Sequence, residues 1–581
     1  MNTINKMNTF KILILGLFML SGCKKDEHNS LTATPTNIEF LKDGGSANLT
    51  IQTNADAWEI SNPASDWLLL SNTSGTQKTA LVTLRVSTKT LNIRTDTLTI
   101  TAGDARPVEV IVSQPSSEYL YDLSVNATTL SFKRAENSNA LTIITDAPQW
   151  LIGSDADWLN FSQETGESGS TTIQVTALKN AGIDPRTATI TISAEFAPSI
   201  LITANQKGEY YPNYNTSPIA PDASGMSSTA TELAANIILG WNIGNSLEAI
   251  GSETAWGNPL VTQALIDTVK RKGFNAIRIP CSWNQYMANS STAQLKESWL
   301  NRVKEVIQYC DNAGMYVVLN IHWDGGWLEN NCTEAKQEEN NAKQKAFWEQ
   351  IATHLRDFDE KLLFASANEP NVDNAKQMAV LKSYHQTFID AVRSTGGRNT
   401  YRVLVIQGPS TDITKTSQLM TTLPVDPVPN RMMVEVHYYT PWNFCGMEKD
   451  ESWGNMFYYW GAGYHSTTDP TRNATYGEEA TVVANFALMK NQFINKGIPV
   501  ILGEYSAVRR SSLTGDNLTL HLASRAYYFY YVTKQAKANG ILPFYWDNGG
   551  IGTNGSGIFY RKYNVVFDHQ ALDALVKGAT E

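Results

Sequence analysis

From residue 229 to the C-terminus, eight short apolar runs of strand type alternate with longer segments that carry apolar residues at helical spacing. The runs occupy 238–241, 276–279, 316–319, 362–365, 403–406, 433–436, 500–502 and 544–546, with stretches such as 260–272 and 299–313 between them. Alternation of this kind requires a parallel sheet with crossovers, because parallel neighbours cannot be joined by a tight turn. Eight such units over roughly 350 residues point to a closed α/β barrel of the TIM (β/α)8 type. The strand ends are where this sequence is unusual. Arg278 ends the second run, His322-Trp323 follows the third, and Asn368-Glu369-Pro370 follows the fourth. His437 and Tyr439 follow the sixth, Glu504 the seventh, and Trp546 ends the eighth. A purely structural strand seldom needs such residues there, and in a TIM barrel they converge on one mouth.

Residues 31–207 read differently. Runs such as 46–52, 81–86, 97–101 and 108–112 alternate apolar and polar residues with the period of two that marks half-buried strands. The region also repeats itself: Phe40 recurs as Phe132, Trp58 as Trp150, Arg94 as Arg186 and Gln114 as Gln206, each 92 positions on. Asp66-Trp67-Leu68 returns as Asp157-Trp158-Leu159, one position short of that offset. Two tandem all-β, immunoglobulin-like sandwiches are expected, at 31–116 and 117–207. The paired Trp positions and the Ser/Gly turn after the second Trp resemble the BACON module. That resemblance implies carbohydrate binding, yet such a module can also serve only as a spacer. Trp67 and Trp158 precede Leu in apolar runs, which favours core packing and a spacer. Between 208 and 228 the chain is rich in Pro, Ser, Asn and Tyr without periodicity and is expected to be a linker, with the barrel at 229–581.

A formal net charge of -10, with 18 % charged residues, argues against nucleic acid as a partner, since that needs clustered Lys and Arg. The apolar stretch 10–20 follows Lys6 and is too short to span a bilayer, so 1–22 reads as a signal peptide. It ends in Leu20-Ser21-Gly22-Cys23, which resembles a bacterial lipobox and implies lipidation of Cys23. The polar tether 23–30 contains Lys24, Lys25, Asp26 and Glu27 and resembles the run that sends Bacteroidetes lipoproteins to the surface of the outer membrane. A monomer held to that membrane by its lipid is therefore expected. The remaining cysteines, Cys281, Cys310, Cys332 and Cys445, fit no zinc or redox spacing, and no metal or cofactor is expected. Cys281 and Cys310 read as packed thiols, while Cys332 and Cys445 lie in loop-like sequence of an exported chain, which leaves a disulfide between them open.

Two carboxylates in an aromatic cleft suit glycoside cleavage, because the leaving oxygen needs a proton while the oxocarbenium-like centre needs a negative partner. If they lie about 5 Å apart, the outcome is retention of configuration. The quoted strand ends resemble glycoside hydrolase family 5, which includes many cellulases. That resemblance implies Glu369 as acid/base and Glu504 as nucleophile, with Arg278 and Tyr439 holding Glu504 ionised. It implies that Asn368 meets the sugar 2-hydroxyl, that His322 and His437 orient the sugar and Glu369, and that Trp546 floors the sugar beside the cut. Glu369 is expected to be kept protonated by the nearby charge of Glu504.

Asn242-Ile243-Gly244-Asn245-Ser246-Leu247-Glu248 and Glu253-Thr254-Ala255-Trp256-Gly257-Asn258-Pro259 resemble the start of the family's fourth subfamily, with Asn245 as a sugar-binding residue. The implied substrates are β-1,4-glucans: cellulose derivatives, mixed-linkage glucan or xyloglucan. Eleven of the fifteen Trp lie in the barrel segment. Trp256, Trp323, Trp327, Trp442, Trp453 and Trp460 fall in apparent loops, where each could meet sugar or pack beneath the loop. Cleavage of mannan or xylan is the alternative within the class. A surface glycan-binding protein with an inactive barrel is the alternative outside it, and the intact Glu369 and Glu504 speak against that.

Overall fold

The computed structural model describes residues 28–581; the expected signal peptide, Cys23 and the charged run at 24–27 lie outside the described residues. All eight expected runs are strands: β1 (Gly240–Ile243), β2 (Ala276–Ile279), β3 (Tyr316–Asn320), β4 (Leu362–Ala365), β5 (Leu404–Asp412), β6 (Met432–Tyr438), β7 (Val500–Tyr505) and β8 (Ile541–Asp547). They close into a barrel in chain order, each pairing parallel with the next and β8 with β1. The first strand starts two residues later than its apolar run. The side chain of Asn275 takes the backbone N–H of Ile238 and Leu239, so those amides never enter the sheet.

The strands read as continuously apolar because both faces are buried. Ala276, Val318, Leu363, Val405, Met433, Ile501, Leu542 and Phe544 fill the interior. Helix α1 (Ala230–Asn236), opened by a capping box between Thr229 and Glu232, adds Leu233 and Ile237 to that cluster. Gly240 leaves no room for a side chain, since a Cβ there would sit 2.1 Å from the Phe544 ring. Outward-facing residues such as Ile277, Val317 and Leu319 pack against the surrounding helices, among them Gln263–Arg271 and Glu297–Asn312.

Segment 208–228 is not a free linker over its length. Tyr211 and Tyr214 pack against the barrel core, and the Tyr214 hydroxyl donates to the Thr292 carbonyl at 2.9 Å. Ile219–Pro221 pairs with Gly396–Gly397, and Gly396, at φ +71°, lies so close to the Ile219 carbonyl that no other residue fits. Composition suggested a linker because the segment has no periodicity; docking onto a neighbouring surface needs none.

The described residues up to Lys207, apart from 182–184, form a separate compact unit. In the first repeat, a four-stranded and a five-stranded sheet enclose one apolar core. In the second, the 18-residue strand Asn137–Ser154 shifts register between Thr145 and Gln149 and pairs with both Thr165–Ala177 and Arg186–Ala194, joining seven strands into one sheet. The repeated residues are architectural. Trp58 and Trp150 are buried, and a Cβ on Gly75 or Gly166 would come within 2.5 Å or 2.4 Å of their rings. The guanidiniums of Arg94 and Arg186 lie over the rings of Trp67 and Trp158 at 4.8 Å and 4.5 Å, and donate to Gln114 and Gln206 at 2.9 Å and 2.8 Å.

Two buried carboxylates hold the loops at the barrel mouth. Glu248 accepts the backbone N–H of Asn245 and Ser246 behind β1. Asp324 accepts those of Trp283 and Asn284 and the indole of Trp327. Burial pushes both up to about 7 against the pull of these hydrogen bonds. A carboxyl whose folded pKa lies above its unfolded value stabilises the fold fully below the unfolded value, and that contribution disappears as pH rises through about 7. The melting-temperature advantage of the native chain over Glu248→Gln is therefore expected to shrink by a few degrees between pH 5 and pH 8. Calorimetry at matched ionic strength measures it, and a gap that widens with pH would refute the assignment.

Candidate active site

At the C-terminal end of the barrel, the side chain of Arg278 is fully buried and all three of its nitrogens face oxygen. Nη1 lies 2.8 Å from Glu504 Oε1 and 3.0 Å from Asn242 Oδ1, Nη2 lies 2.8 Å from Asn368 Oδ1, and Nε lies 2.8 Å from Glu435 Oε1. One guanidinium thus fixes residues from β1, β6 and β7 and from the loop after β4. Tyr439 donates its hydroxyl to the other oxygen of Glu504 at 2.9 Å. Asn242 is itself anchored by donating to the Gly503 carbonyl at 2.8 Å. Gly503 must be glycine, since a Cβ would fall 2.0 Å from Glu435.

His437 stands between the carboxylates. Nδ1 is 2.7 Å from Glu369 Oε1 and 3.8 Å from Glu504 Oε2, while Nε2 is 3.1 Å from Glu435 Oε1. Both nitrogens face carboxylate oxygen, so the ring donates at both and carries a positive charge unless Glu369 holds a proton. Burial pulls His437 down, but the charge of Glu504 and the hydrogen bonds to Glu369 and Glu435 outweigh it and push the imidazole up to about 9. For Glu369, desolvation by the walls of the mouth acts upward, and the His437 hydrogen bond with the charges of His437 and Arg278 reverses it, leaving the carboxyl below its ordinary value. Glu504 is raised by burial, against the charges of His437 and Arg278 and with that of Glu369.

This order corrects the expectation that the charge of Glu504 would hold Glu369 above its ordinary value; Arg278 and Tyr439 do act to lower Glu504, but burial outweighs them. The cause is placement. The cation of His437 touches Glu369, and Glu504 lies deeper, with 7 % of its side chain exposed against 43 % for Glu369. A carboxylate oxygen of Glu369 and one of Glu504 lie within 4.8 Å of each other.

His322 places Nδ1 4.0 Å from Glu504 Oε1, and its ring lies parallel to Trp546, 5.6 Å between centroids. Burial, then the charges of Arg278 and His437, push it well below its ordinary value, so it is neutral. Trp546 rests against Gly244, where a Cβ would meet the indole at 3.0 Å. The next residue, Asn245, has a left-handed backbone, φ +57°, and accepts the Asn258 amide on its carbonyl at 2.9 Å. Trp323 is half-exposed on the loop after β3, as are Trp256, Trp442 and Trp453 on theirs. Trp327 and Trp460 are buried instead, their indoles donating to Asp324 and to the Gly477 carbonyl. On the far side of Glu369 opens a cavity of about 400 Å³ lined by Ser410, Thr411, Asp412, Thr414, Tyr439 and Asn485.

Cys332 and Cys445 are unpaired and buried, so the disulfide left open above is not formed. The Cys445 thiol meets the Tyr528 hydroxyl at 3.2 Å and Cys332 lies over the Leu328 carbonyl, so both loops turn these residues inward. Cys281 and Cys310 are packed thiols as expected. Sequence reasoning missed Glu435, Gln407 and Glu329. Gln407 bridges Glu435, at 2.7 Å, and the Ala367 N–H, at 2.8 Å. Glu435 had a signal: an acid inside the apolar run 433–436 needs a buried cation.

A sequence model described as cellulase, glycosyl hydrolase family 5, matches residues 242–552. Models of the viral BACON domain and of BACON, an N-terminal binding domain, match residues 30–117 and 149–207. The xyloglucan-specific endo-beta-1,4-glucanase BoGH5A of Bacteroides ovatus is 38 % identical over 455 residues, 75 % of this chain and 88 % of that protein. The crystal structure of XEG5B, a xyloglucan-specific beta-1,4-glucanase from a ruminal metagenomic library solved with XXLG, superposes with a TM-score of 0.57 at 41 % identity, covering 61 % of this chain and 96 % of that one. A broad-specificity endoglucanase from Bacteroides salanitronis gives 0.55 at 35 % identity, covering 61 % and 96 %. With a barrel of this topology and these strand ends, the chain belongs to glycosyl hydrolase family 5.

Proposed function

We propose that the chain is a retaining endo-β-1,4-glucanase that cuts xyloglucan first and other β-1,4-glucan backbones more slowly, with Glu504 as nucleophile and Glu369 as acid/base. The observation that carries this reading is the approach of the two carboxylates, with an oxygen of Glu369 within 4.8 Å of one of Glu504. Retaining enzymes hold them at about 5–5.5 Å, and inverting ones leave room for a water at about 6.5–9.5 Å. The preference for xyloglucan rests on the named specificities of two of the relatives above and on the wide, hydroxyl-lined cavity beside Glu369.

The free site stores its proton on the Glu369–His437 pair. A sugar covering Glu369 strips water from the charged carboxylate, which favours moving the proton from Nδ1 along the 2.7 Å hydrogen bond onto Glu369. Glu504 then attacks the anomeric carbon as the bond to the leaving oxygen breaks, and Glu369 gives that oxygen its proton. The glycosyl ester neutralises Glu504. A water next attacks the anomeric carbon, Glu369 takes its proton, and the ester bond breaks to free Glu504. Before the attack Arg278 and Tyr439 hold the two oxygens of the nucleophile, and Asn368, fixed by Arg278, presents its amide to the 2-hydroxyl.

The two N-terminal modules act as spacers, since every repeated aromatic serves packing, and the chain works as a monomer held to the outer membrane through Cys23. Radiolabelled palmitate is expected to enter the native chain and not Cys23→Ala. A chain beginning at Gly208, which keeps the docked Tyr211 and Tyr214, should be retained on insoluble glucan as well as the full chain; markedly weaker retention would make the modules binders.

Reducing-sugar release from xyloglucan, mixed-linkage glucan, carboxymethyl-cellulose, mannan and xylan tests the substrate. Glu504→Gln is expected to lower kcat by about 10³-fold or more, and Glu369→Ala by about 10²–10⁴-fold. Proton NMR of the first product should show the β-anomer. Activity confined to mannan or xylan would overturn the substrate, and no release at all would favour a binding protein. In the pH profile of kcat/KM, activity should rise through a Glu504 value above the ordinary 4.5 and fall as the Glu369–His437 pair loses its proton near pH 9. A fall centred below pH 6.5 would refute the shared-proton step.

A further inference from the structure

A fourth carboxylate, beyond Glu369, Glu504 and Glu435, lies against the backbone of the catalytic acid. Glu329, from the loop after β3, is buried, with 6 % exposed, and its Oε1 accepts the backbone N–H of Glu369 at 2.8 Å. Its own carbonyl accepts the backbone N–H of Asn371 at 2.8 Å, so one residue grips the chain on both sides of Pro370. The Asn368 side chain donates to the same carboxylate, while its oxygen is held by Arg278. With one amide hydrogen committed to Glu329 and Oδ1 to Arg278, Asn368 has a single hydrogen left to point into the cleft.

The segment it holds is itself neither strand nor helix, and the backbone of β5 reaches only its two flanks, at Ser366 and Pro370. β4 ends at Ala365, and residues 366–374 carry Asn368 and Glu369 without helix or strand. Loop residues that carry chemistry need an outside support to stay within a fraction of an ångström of a productive position. Glu329 is placed to provide that, from beside the Glu369 backbone.

We propose that Glu329 is a positioning residue for acid/base catalysis, setting the aim of Glu369 through its backbone N–H. This rests on the assignment of Glu369 as acid/base. Burial, with the charge of Glu369 adding to it, pushes Glu329 up to about 7, in keeping with a group coupled to the catalytic acid and enclosed by protein. Glutamine can replace only one of the two acceptor oxygens, and its NH2 group would face a donor at the other.

The test compares two substrates in the full-length chain. One is a β-glucan oligosaccharide, whose leaving group needs a proton; the other is a 2,4-dinitrophenyl β-cellobioside, whose leaving group does not. For Glu329→Gln, kcat/KM on the oligosaccharide is expected to fall about tenfold or more, through kcat rather than KM, with less than about a threefold fall on the aryl glycoside. Glu329→Asp, which restores both acceptors at a shorter reach, should recover part of the loss, and it carries the same comparison should the glutamine variant not fold. In a Glu369→Ala background, Glu329→Gln should have no further effect on the oligosaccharide. Equal falls on both substrates, no fall on either, or an additive loss in the double variant would overturn the proposal. A Glu369→Ala chain that cleaves the oligosaccharide at the native rate would instead overturn the acid/base assignment beneath it.

Discussion

The site is organised around a guanidinium that water does not reach. A buried arginine is tolerated only where each of its donors meets an acceptor and its charge meets opposite charge, because stripping it of water costs several kcal/mol. Arg278 turns its three nitrogens toward four oxygens, two of them carboxylate, drawn from β1, β6 and β7 and from the loop after β4. The dependence runs both ways. Removing either carboxylate, Glu435 or Glu504, leaves a buried charge short of its complement, a loss of about 3–5 kcal/mol when a buried pair is broken. The strand ends of the barrel are thereby locked in register with one another at the mouth, and Glu504 inherits a fixed position as one of the locking groups.

The same crowding decides where the proton rests. Three carboxylates, Glu369, Glu435 and Glu504, surround two cations, Arg278 and His437. Glu435 is reached by both cations and fully buried, and their charges, with the Gln407 hydrogen bond, hold it below its ordinary value despite burial. Glu435 thus acts as a permanent counter-ion. It keeps His437 protonated at Nε2 and leaves Nδ1 as the one position from which a proton can move, toward Glu369. An acid that must be neutral at one step and charged at the next is served better by a neighbour that lends a proton than by burial alone, because burial would hold it neutral through both steps.

The barrel and its mouth were legible because they are written in local signals: eight apolar runs of strand length, six of them ending in or followed by residues out of keeping with a strand. What could not be read is whatever depends on a partner far away in sequence. The Arg278–Glu435 pair spans 157 positions by residue number, and nothing local to Glu435 says which cation it meets. Glu329 sits in a loop without periodicity, and only the folded chain brings it under the Glu369 N–H. The relative acidity of Glu369 and Glu504 was misjudged for a related reason. Their mutual repulsion could be inferred from sequence, but the 2.7 Å contact of His437 with one of them could not. Trp327 and Trp460 show the same limit: an indole in a loop reads as exposed until an acceptor such as Asp324 or the Gly477 carbonyl is folded beneath it.

The N-terminal repeats carry the opposite lesson about aromatic residues. Recurrence of Trp at fixed intervals suggests a sugar platform, yet here each repeated Trp comes with a repeated partner that occupies it: Gly75 and Gly166 against the rings of Trp58 and Trp150, Arg94 and Arg186 over those of Trp67 and Trp158. A ring whose face is already covered by a guanidinium cannot stack on a sugar without giving up that contact, worth about 0.5–1 kcal/mol at a partly exposed site and more when desolvated. Repetition of the partner along with the ring therefore indicates selection for a fold. In the barrel, by contrast, Trp323 and Trp546 recur nowhere and lie at the mouth, and the aromatic surface available to a glycan is concentrated where the carboxylates are.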